Sequence, residues 1–284
     1  MRNYIALLVL ASLCFSGLLF SASDKAEAEV WRTPEAESVI VVQLDSGQIV
    51  IELAPKFAPN HVANIKRLVG DRYFDGAAIL RSQDNYVTQW GDPAADSDKA
   101  KSIGEAKENI KVEFFADIDG LDFQAIESRD AYADKVGFVA GFPAASDGKK
   151  VWLAHCYGMV GVSRGVGDDS GNGSGLYVVT GHSPRHLDRN VTLVGRVIAG
   201  MSLLTSLPRG TGALGFFETA EEYVPIQSIK LASSLSDKTI SRQIMSTSSR
   251  AFKDHVAKRT TRSEEWFLEP TGKIELCNVG IPFR

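Results

Sequence analysis

YFDGAAILRSQDNYVTQWGDP, residues 73–93, is the stretch that decides how this chain is read. Apolar and polar residues alternate along much of it, the mark of a half-buried strand whose successive side chains point to opposite faces. Arg81 and Gln89 stand eight positions apart, an even number, so they share one face unless a bulge or turn intervenes. Such a face carries a permanently charged planar donor beside an amide that both donates and accepts. That pairing suits recognition of a peptide bond better than recognition of an anion. Gly91-Asp92-Pro93 closes the run.

Working outward, residues 39–44 and 48–53 are β-branched runs separated by Asp45-Ser46-Gly47, a short hairpin loop with a glycine available for positive φ. Pro59 stands where a helix opens, and Val62, Ile65, Leu68 and Val69 recur behind it at helical spacing. Downstream, residues 96–150 are rich in Asp, Lys and Ala and interrupt the pattern. Strand-like pieces at 112–115 and 136–142 lie inside this segment, which reads as an insertion. The β pattern resumes at His155. It continues through Gly158-Met159-Val160-Gly161-Val162-Ser163-Arg164, a glycine-rich loop, and Gly173-Ser174-Gly175-Leu176-Tyr177-Val178-Val179. Residues 198–207 read as a second helix and residues 225–232 as a closing strand.

These residues resemble the signature of the cyclophilin-type peptidyl-prolyl cis-trans isomerases, written F-H-R followed by F-M-x-Q-x-G-D-P. Here the string is Ile79-Leu80-Arg81 and then Tyr86-Val87-Thr88-Gln89-Trp90-Gly91-Asp92-Pro93. Arg81 and Gln89 match, and Ile79-Leu80 replaces the Phe-His pair. Leu187-Asp188 and Thr192-Leu193-Val194-Gly195-Arg196-Val197 are similar to later elements of the family. The resemblance covers residues 38–233. It implies a mostly β fold with two main helices, a closed antiparallel cyclophilin-like β-barrel carrying the 96–150 insertion and a C-terminal extension. It also implies a catalytic Arg81, an orienting Gln89, and a proline pocket lined by Tyr86, Val87, Leu176, Tyr177 and Leu187. Gly175 stands where the family has glutamine, which removes one contact to a substrate backbone. The implied reaction is isomerisation of Xaa-Pro bonds in unfolded or exported polypeptides, with no cofactor and no metal. The alternative is a catalytically weak peptide-binding chaperone or scaffold, motivated by Ile79-Leu80 and Gly175.

Composition bounds the remaining choices. The 284 residues are 44% hydrophobic and 23% charged with a formal net charge of −4, a globular profile with no basic field for nucleic acid. Arg2, an apolar run over residues 4–20 and then small residues read as a secretory signal peptide, residues 1–23, followed by a polar leader, residues 24–37. Cleavage before Asp24 or before Glu29 fits, and the competing reading is an uncleaved anchor. The expectation is a periplasmic or secreted monomer without stable membrane association after cleavage. Cys14 then leaves with the signal, so Cys156 and Cys277 remain as a disulfide candidate in an oxidising compartment. Residues 234–284 form an extension with a surface helix; Trp266, Phe267 and Cys277 make its end too apolar for a free tail, so it is expected to pack on the barrel.

Three further motifs fail on their chemistry. Gly161-Val162-Ser163-Arg164-Gly165 fits G-x-S-x-G, with Asp188 and His255 in triad order, but the glycine-rich stretch behind it cannot form the helix of a nucleophile elbow. Asp168, Ser170, Asn172 and Gly173 echo a calcium loop whose bidentate glutamate is Val179 instead. Of the five histidines, His61, His155, His182, His186 and His255, only His182/His186 have metal-ligand spacing, Pro184 between them argues against a helix, and all five read as solvated loop imidazoles.

Overall fold

A computed structural model of the chain describes residues 30–167, 170–236 and 242–284. The expected signal peptide, with Cys14, and likewise Asp168 and Ile240 lie outside the described residues. The elements are β1 Trp31–Arg32, β2 Val39–Leu44, β3 Gly47–Leu53, α1 Pro59–Gly70, β4 Ala78–Ser82, β5 Val87–Gly91, β6 Ala116–Asp117, β7 Phe123–Ala125, β8 Lys135–Val139, β9 Phe142–Ser146, β10 Lys150–Leu153, β11 Met159–Val162, β12 Leu176–Val179, β13 Leu193–Ala199, α2 Met201–Thr205, β14 Val224–Pro225, β15 Ser228–Leu231, β16 Ile244–Met245 and α3 Arg250–Thr261.

Nine antiparallel strands form the main sheet in the order β14-β4-β5-β12-β11-β13-β3-β2-β15. The sheet curls enough for Val224 at one end and Ile229 at the other to share a core with Ile51, Ile65, Trp90, Val160 and Leu176. The expected barrel closure is not made: β14 and β15 each pair on one side alone, so the sheet is an open half-barrel. β14 is two residues long and ends on Pro225, which has no N–H to offer a further strand. α1 instead packs against β15. The second helix, expected over 198–207, is the single turn α2, because Ile198 and Ala199 continue β13.

The segment expected as an insertion, residues 96–150, divides into two parts. Residues 101–113 belong to the barrel. Lys101 donates to the Tyr73 carbonyl, and the Asn64 side chain exchanges hydrogen bonds with the backbone of Lys107. The Glu113 carboxylate accepts the Asn60 and His61 N–H groups at 3.0 Å each, capping the start of α1 where Ala58 supplies no side-chain cap. The strand expected at 112–115 does not form. A separate five-stranded sheet then follows in the order β6-β10-β9-β8-β7. The piece expected as one strand over 136–142 breaks into β8 and β9, because Ala140 and Gly141 both take positive φ in a two-residue turn.

This second sheet packs on the outer face of the first. Phe138, Phe142, Val151 and Trp152 join Val87, Tyr177 and Val179 in a second core, completed by Phe252 of α3 and by Ile274, Leu276 and Val279. The Cys156–Cys277 disulfide ties that C-terminal stretch to the base of β11. Trp31 and Arg32, within the expected leader, are tied down as well: β1 pairs with β16, and Arg32 bonds Glu52 at 2.6 Å. Glu52 also holds Arg196 at 3.2 Å; burial pushes that guanidinium down to about 10, with the Glu52 charge opposing the shift. No helix among the described residues is long and apolar enough to cross a membrane.

Candidate active site

Arg81 and Gln89 lie on neighbouring strands of one hairpin, not on a single strand. β4 and β5 are joined by a turn at Gln83–Tyr86, where Gln83 N–H donates to the Val87 carbonyl and Asn85 takes a φ of 50°, a conformation asparagine tolerates. The pairing register is Ile79↔Trp90 and then Arg81↔Gln89, so Leu80 is an extra residue on β4. Without that bulge Ile79 and Arg81, two apart, would share the core face. With it, Ile79 stays in the barrel core and Arg81 turns to the outer face.

One cross-strand row therefore runs Arg81–Gln89–Tyr177–Gly161 over β4, β5, β12 and β11. Within it, Arg81 Nη1 donates to Gln89 Oε1 at 3.1 Å. Arg81 Nε donates to the Leu214 carbonyl at 2.7 Å, and Nη2 donates to Gln83 Oε1. The guanidinium carbon sits 5.2 Å from the centre of the Phe216 ring and 5.7 Å from that of Tyr86. Three of the five guanidinium N–H groups are thus engaged, leaving one on each Nη. Burial lowers the pKa of Arg81, with the Tyr86 hydroxyl opposing the shift.

The expected pocket residues separate. Tyr86 is half-buried beside Arg81 and stacks on His186 with ring centres 6.4 Å apart. Leu187 is half-buried in the same turn as His186, which brings this loop alongside Tyr86. Val87 and Tyr177 are on the arginine face but deeply buried, at 2% and 7% exposure, because the second sheet packs against them. Leu176 is a correction. Neighbouring residues on a strand alternate, so Leu176 points away from Tyr177 and packs in the barrel core opposite Trp90.

Tyr177 has a second anchor that the sequence reading missed. Its hydroxyl bonds His155 Nε2 at 2.8 Å, and His155 Nδ1 meets Asp188 Oδ1 at 2.9 Å. Asp188 also accepts Arg185 Nε at 2.6 Å, and Arg185 reaches Asp130 of the insertion at 2.7 Å. Burial raises the Tyr177 pKa and lowers that of His155, Asp188 opposing the latter. For Asp188, burial is outweighed by the His155 hydrogen bond and the Arg185 charge, and its pKa falls. His155 and His61 are therefore not solvated loop imidazoles. Both rings are fully buried, each against a carboxylate. Asp188 is committed to His155, and His255 Nε2 faces the carbonyls of Val279 and Gly280, so no triad forms around Ser163. Gly175 permits the close approach of Ser163, whose Oγ would lie 3.3 Å from a Cβ there.

The segment nearest to Arg81 that the motif did not reveal is residues 209–217, where Phe216 forms an isolated bridge with Arg81. Among the described residues no group of three or more His, Cys, Asp and Glu is placed to hold a metal ion.

Comparison with known proteins gives a consistent answer. The family model described as cyclophilin type peptidyl-prolyl cis-trans isomerase/CLD matches residues 39–233. A Brucella suis protein described as "Probable peptidyl-prolyl cis-trans isomerase" is 26% identical over 208 residues, 72% of this chain and 86% of the relative. A Brucella abortus protein of the same description is 25% identical over the same span. The crystal structure of cyclophilin AquaCyp293 from Hirschia baltica shares the fold with a TM-score of 0.67 at 23% identity, covering 87% of this chain and 94% of that one.

Proposed function

The chain belongs to the cyclophilin-type peptidyl-prolyl cis-trans isomerase family, and from that premise we propose that Arg81 isomerises Xaa-Pro bonds of exported polypeptides by stabilising the twisted amide. The family and its named relatives support peptidyl-prolyl cis-trans isomerase activity. Uncatalysed Xaa-Pro isomerisation takes tens to hundreds of seconds because rotation must break amide resonance. At the top of the barrier the imide nitrogen regains a lone pair that the planar ground states lack. An N–H donor aimed at that nitrogen therefore binds the transition state better than either isomer, with no nucleophile, proton transfer or metal.

The observation that carries this reading is the fixed guanidinium. Gln89, Gln83 and the Leu214 carbonyl hold it in one orientation, while one N–H on each Nη remains for substrate. Gln89 accepts from Arg81 through Oε1, which leaves its own N–H groups for a substrate carbonyl. Partial burial keeps the charge in a weakly screening environment, where a preorganised donor acts most strongly. The proline ring is assigned to the half-buried Tyr86–Leu187 side of Arg81. Removing such a donor costs about 10²–10³ in rate. The test is isomerisation of a short Xaa-Pro peptide by wild type, Arg81→Lys and Arg81→Ala; equal rates for wild type and Arg81→Ala refute the arginine mechanism.

Export rests on the N-terminal apolar run and is supported by the Cys156–Cys277 disulfide, a bond at home in oxidising compartments. The deep burial of Val87 and Tyr177 beneath the second sheet favours a second reading, a weakly catalytic peptide-binding chaperone. Saturable peptide binding without rate enhancement would select it.

A further inference from the structure

Residues 209–217, RGTGALGFF, form a loop whose construction exceeds what a connection between α2 and β14 requires. Its glycines are forced. A Cβ on Gly215 would stand 2.5 Å from Gln83 Cα, and one on Gly210 would stand 2.6 Å from the Phe216 carbonyl oxygen. The loop is pinned to β4 at both ends: Gly210 N–H donates to Ser82 and Phe217 N–H to Leu80, each at 3.0 Å. Between these anchors, Leu214 adopts a φ of 56°, a conformation that glycine or asparagine takes readily and that strains a leucine. Bonding of its carbonyl to Arg81 accounts for the backbone geometry. It does not account for a leucine side chain there, which is 69% exposed and packs into neither core. Phe216, 37% exposed, lays its ring over the guanidinium next to it.

We propose that Leu214 and Phe216 form an apolar subsite beside Arg81 that takes a large apolar side chain flanking the prolyl bond of a bound polypeptide. The row on the sheet places Gln89 and Tyr177 on one side of Arg81 and this loop on the other. A peptide whose proline lies on the Tyr86 side of Arg81 thus presents a neighbouring residue to the lip. Two exposed apolar side chains on an anchored, strained loop lose little conformational freedom when they close on a partner. Glu218 borders Gly212 and is linked to Glu222, which accepts its N–H at 2.9 Å, so the rim repels an acidic neighbour. The assignment rests on the isomerase reading of Arg81 and adds the residue class selected next to proline.

The experiment measures kcat/KM and, with the same peptides fluorescently labelled, anisotropy-based affinity for Leu, Ala or Glu placed on either side of proline. Wild type should prefer the leucine over the alanine peptide by about tenfold on one side, the discrimination an apolar contact of this size supplies, with glutamate poorest. Leu214→Asn suits the positive φ and should bring the leucine-to-alanine ratio close to one. Leu214→Met should restore the preference. A loss of equal factor on all three peptides, or an unchanged ratio in Leu214→Asn, overturns the subsite. Arg81→Ala at the wild-type rate is the separate failure of the arginine mechanism, and the affinity ratios still decide the subsite in that case.

Discussion

Gly161→Ala is the sharpest probe of how the Arg81–Gln89–Tyr177–Gly161 row is built. A Cβ on Gly161 would lie 2.6 Å from Tyr177 Cε1 and closer still to Cζ and the hydroxyl. Carbon atoms pack at about 3.5–4.0 Å, so the ring must move by about 1 Å or more. Buried overpacking of this kind costs about 1–3 kcal/mol. The shift also breaks the 2.8 Å bond from Tyr177 to His155, leaving a fully buried imidazole nitrogen unpaired for a further ~1–3 kcal/mol. The expected loss is about 2–6 kcal/mol, a large share of a typical domain's stability. Urea denaturation followed by tryptophan fluorescence measures it, and a double-mutant cycle assigns it. Tyr177→Leu removes the atoms that clash, so Gly161→Ala in a Tyr177→Leu background should cost less than about 1 kcal/mol. If the two substitutions add to within about 0.5 kcal/mol, the ring does not rest on Gly161 and the reasoning fails.

Two further outcomes follow from the buried groups. The Cys156–Cys277 bond closes a sequence separation of 121 residues, worth up to about 5 kcal/mol in the chain-entropy account. Cys277→Ser should therefore lower the urea midpoint and open residues 262–284 to proteolysis, and denaturing alkylation of unreduced protein lacking residues 1–29 should label no thiol. Two labelled thiols would rule the bond out. Burial holds the His155 pKa below its usual 6.5 despite Asp188, so below that pH the unfolded chain binds a proton that the native state refuses. The sign is destabilisation on acidification: this contribution is complete above pH ~6.5 and declines below it by at most about 1.4 kcal/mol per pH unit. Asp188, whose pKa is lowered, reinforces the trend further down, as the pH falls through the ordinary carboxylate range. Urea midpoints at pH 7.5, 6.0 and 5.0 should converge between wild type and His155→Gln as the pH drops; parallel curves would contradict the assignment.

Much of this was legible in the one-dimensional pattern because it depends on local periodicity. The β2–β3 hairpin, α1 behind Pro59, and the strands around Arg81, Gly161 and Tyr177 all fall where alternation or helical spacing put them. Boundaries were lost where both readings are locally acceptable: Ile198 and Ala199 suit a helix, yet pairing of β13 with β3 claims them for a strand. The histidines were misread for a related reason. A buried imidazole differs from a solvated one by the carboxylate beside it, and Glu113 and Asp188 are 52 and 33 residues away from their partners.

The sequence by itself determined the family, the succession of strands around Arg81 and Gln89, and Cys156 and Cys277 as the candidate pair. Tertiary structure alone decided which way Arg81 faces, because the bulge at Leu80 exists only in the register between β4 and β5. It also moved Leu176 into the barrel core, buried Val87 and Tyr177 beneath the inserted sheet, and brought Leu214 and Phe216 to the guanidinium from more than 130 residues away. The reason is that side-chain direction on a strand is set by pairing, and pairing partners here come from distant parts of the chain.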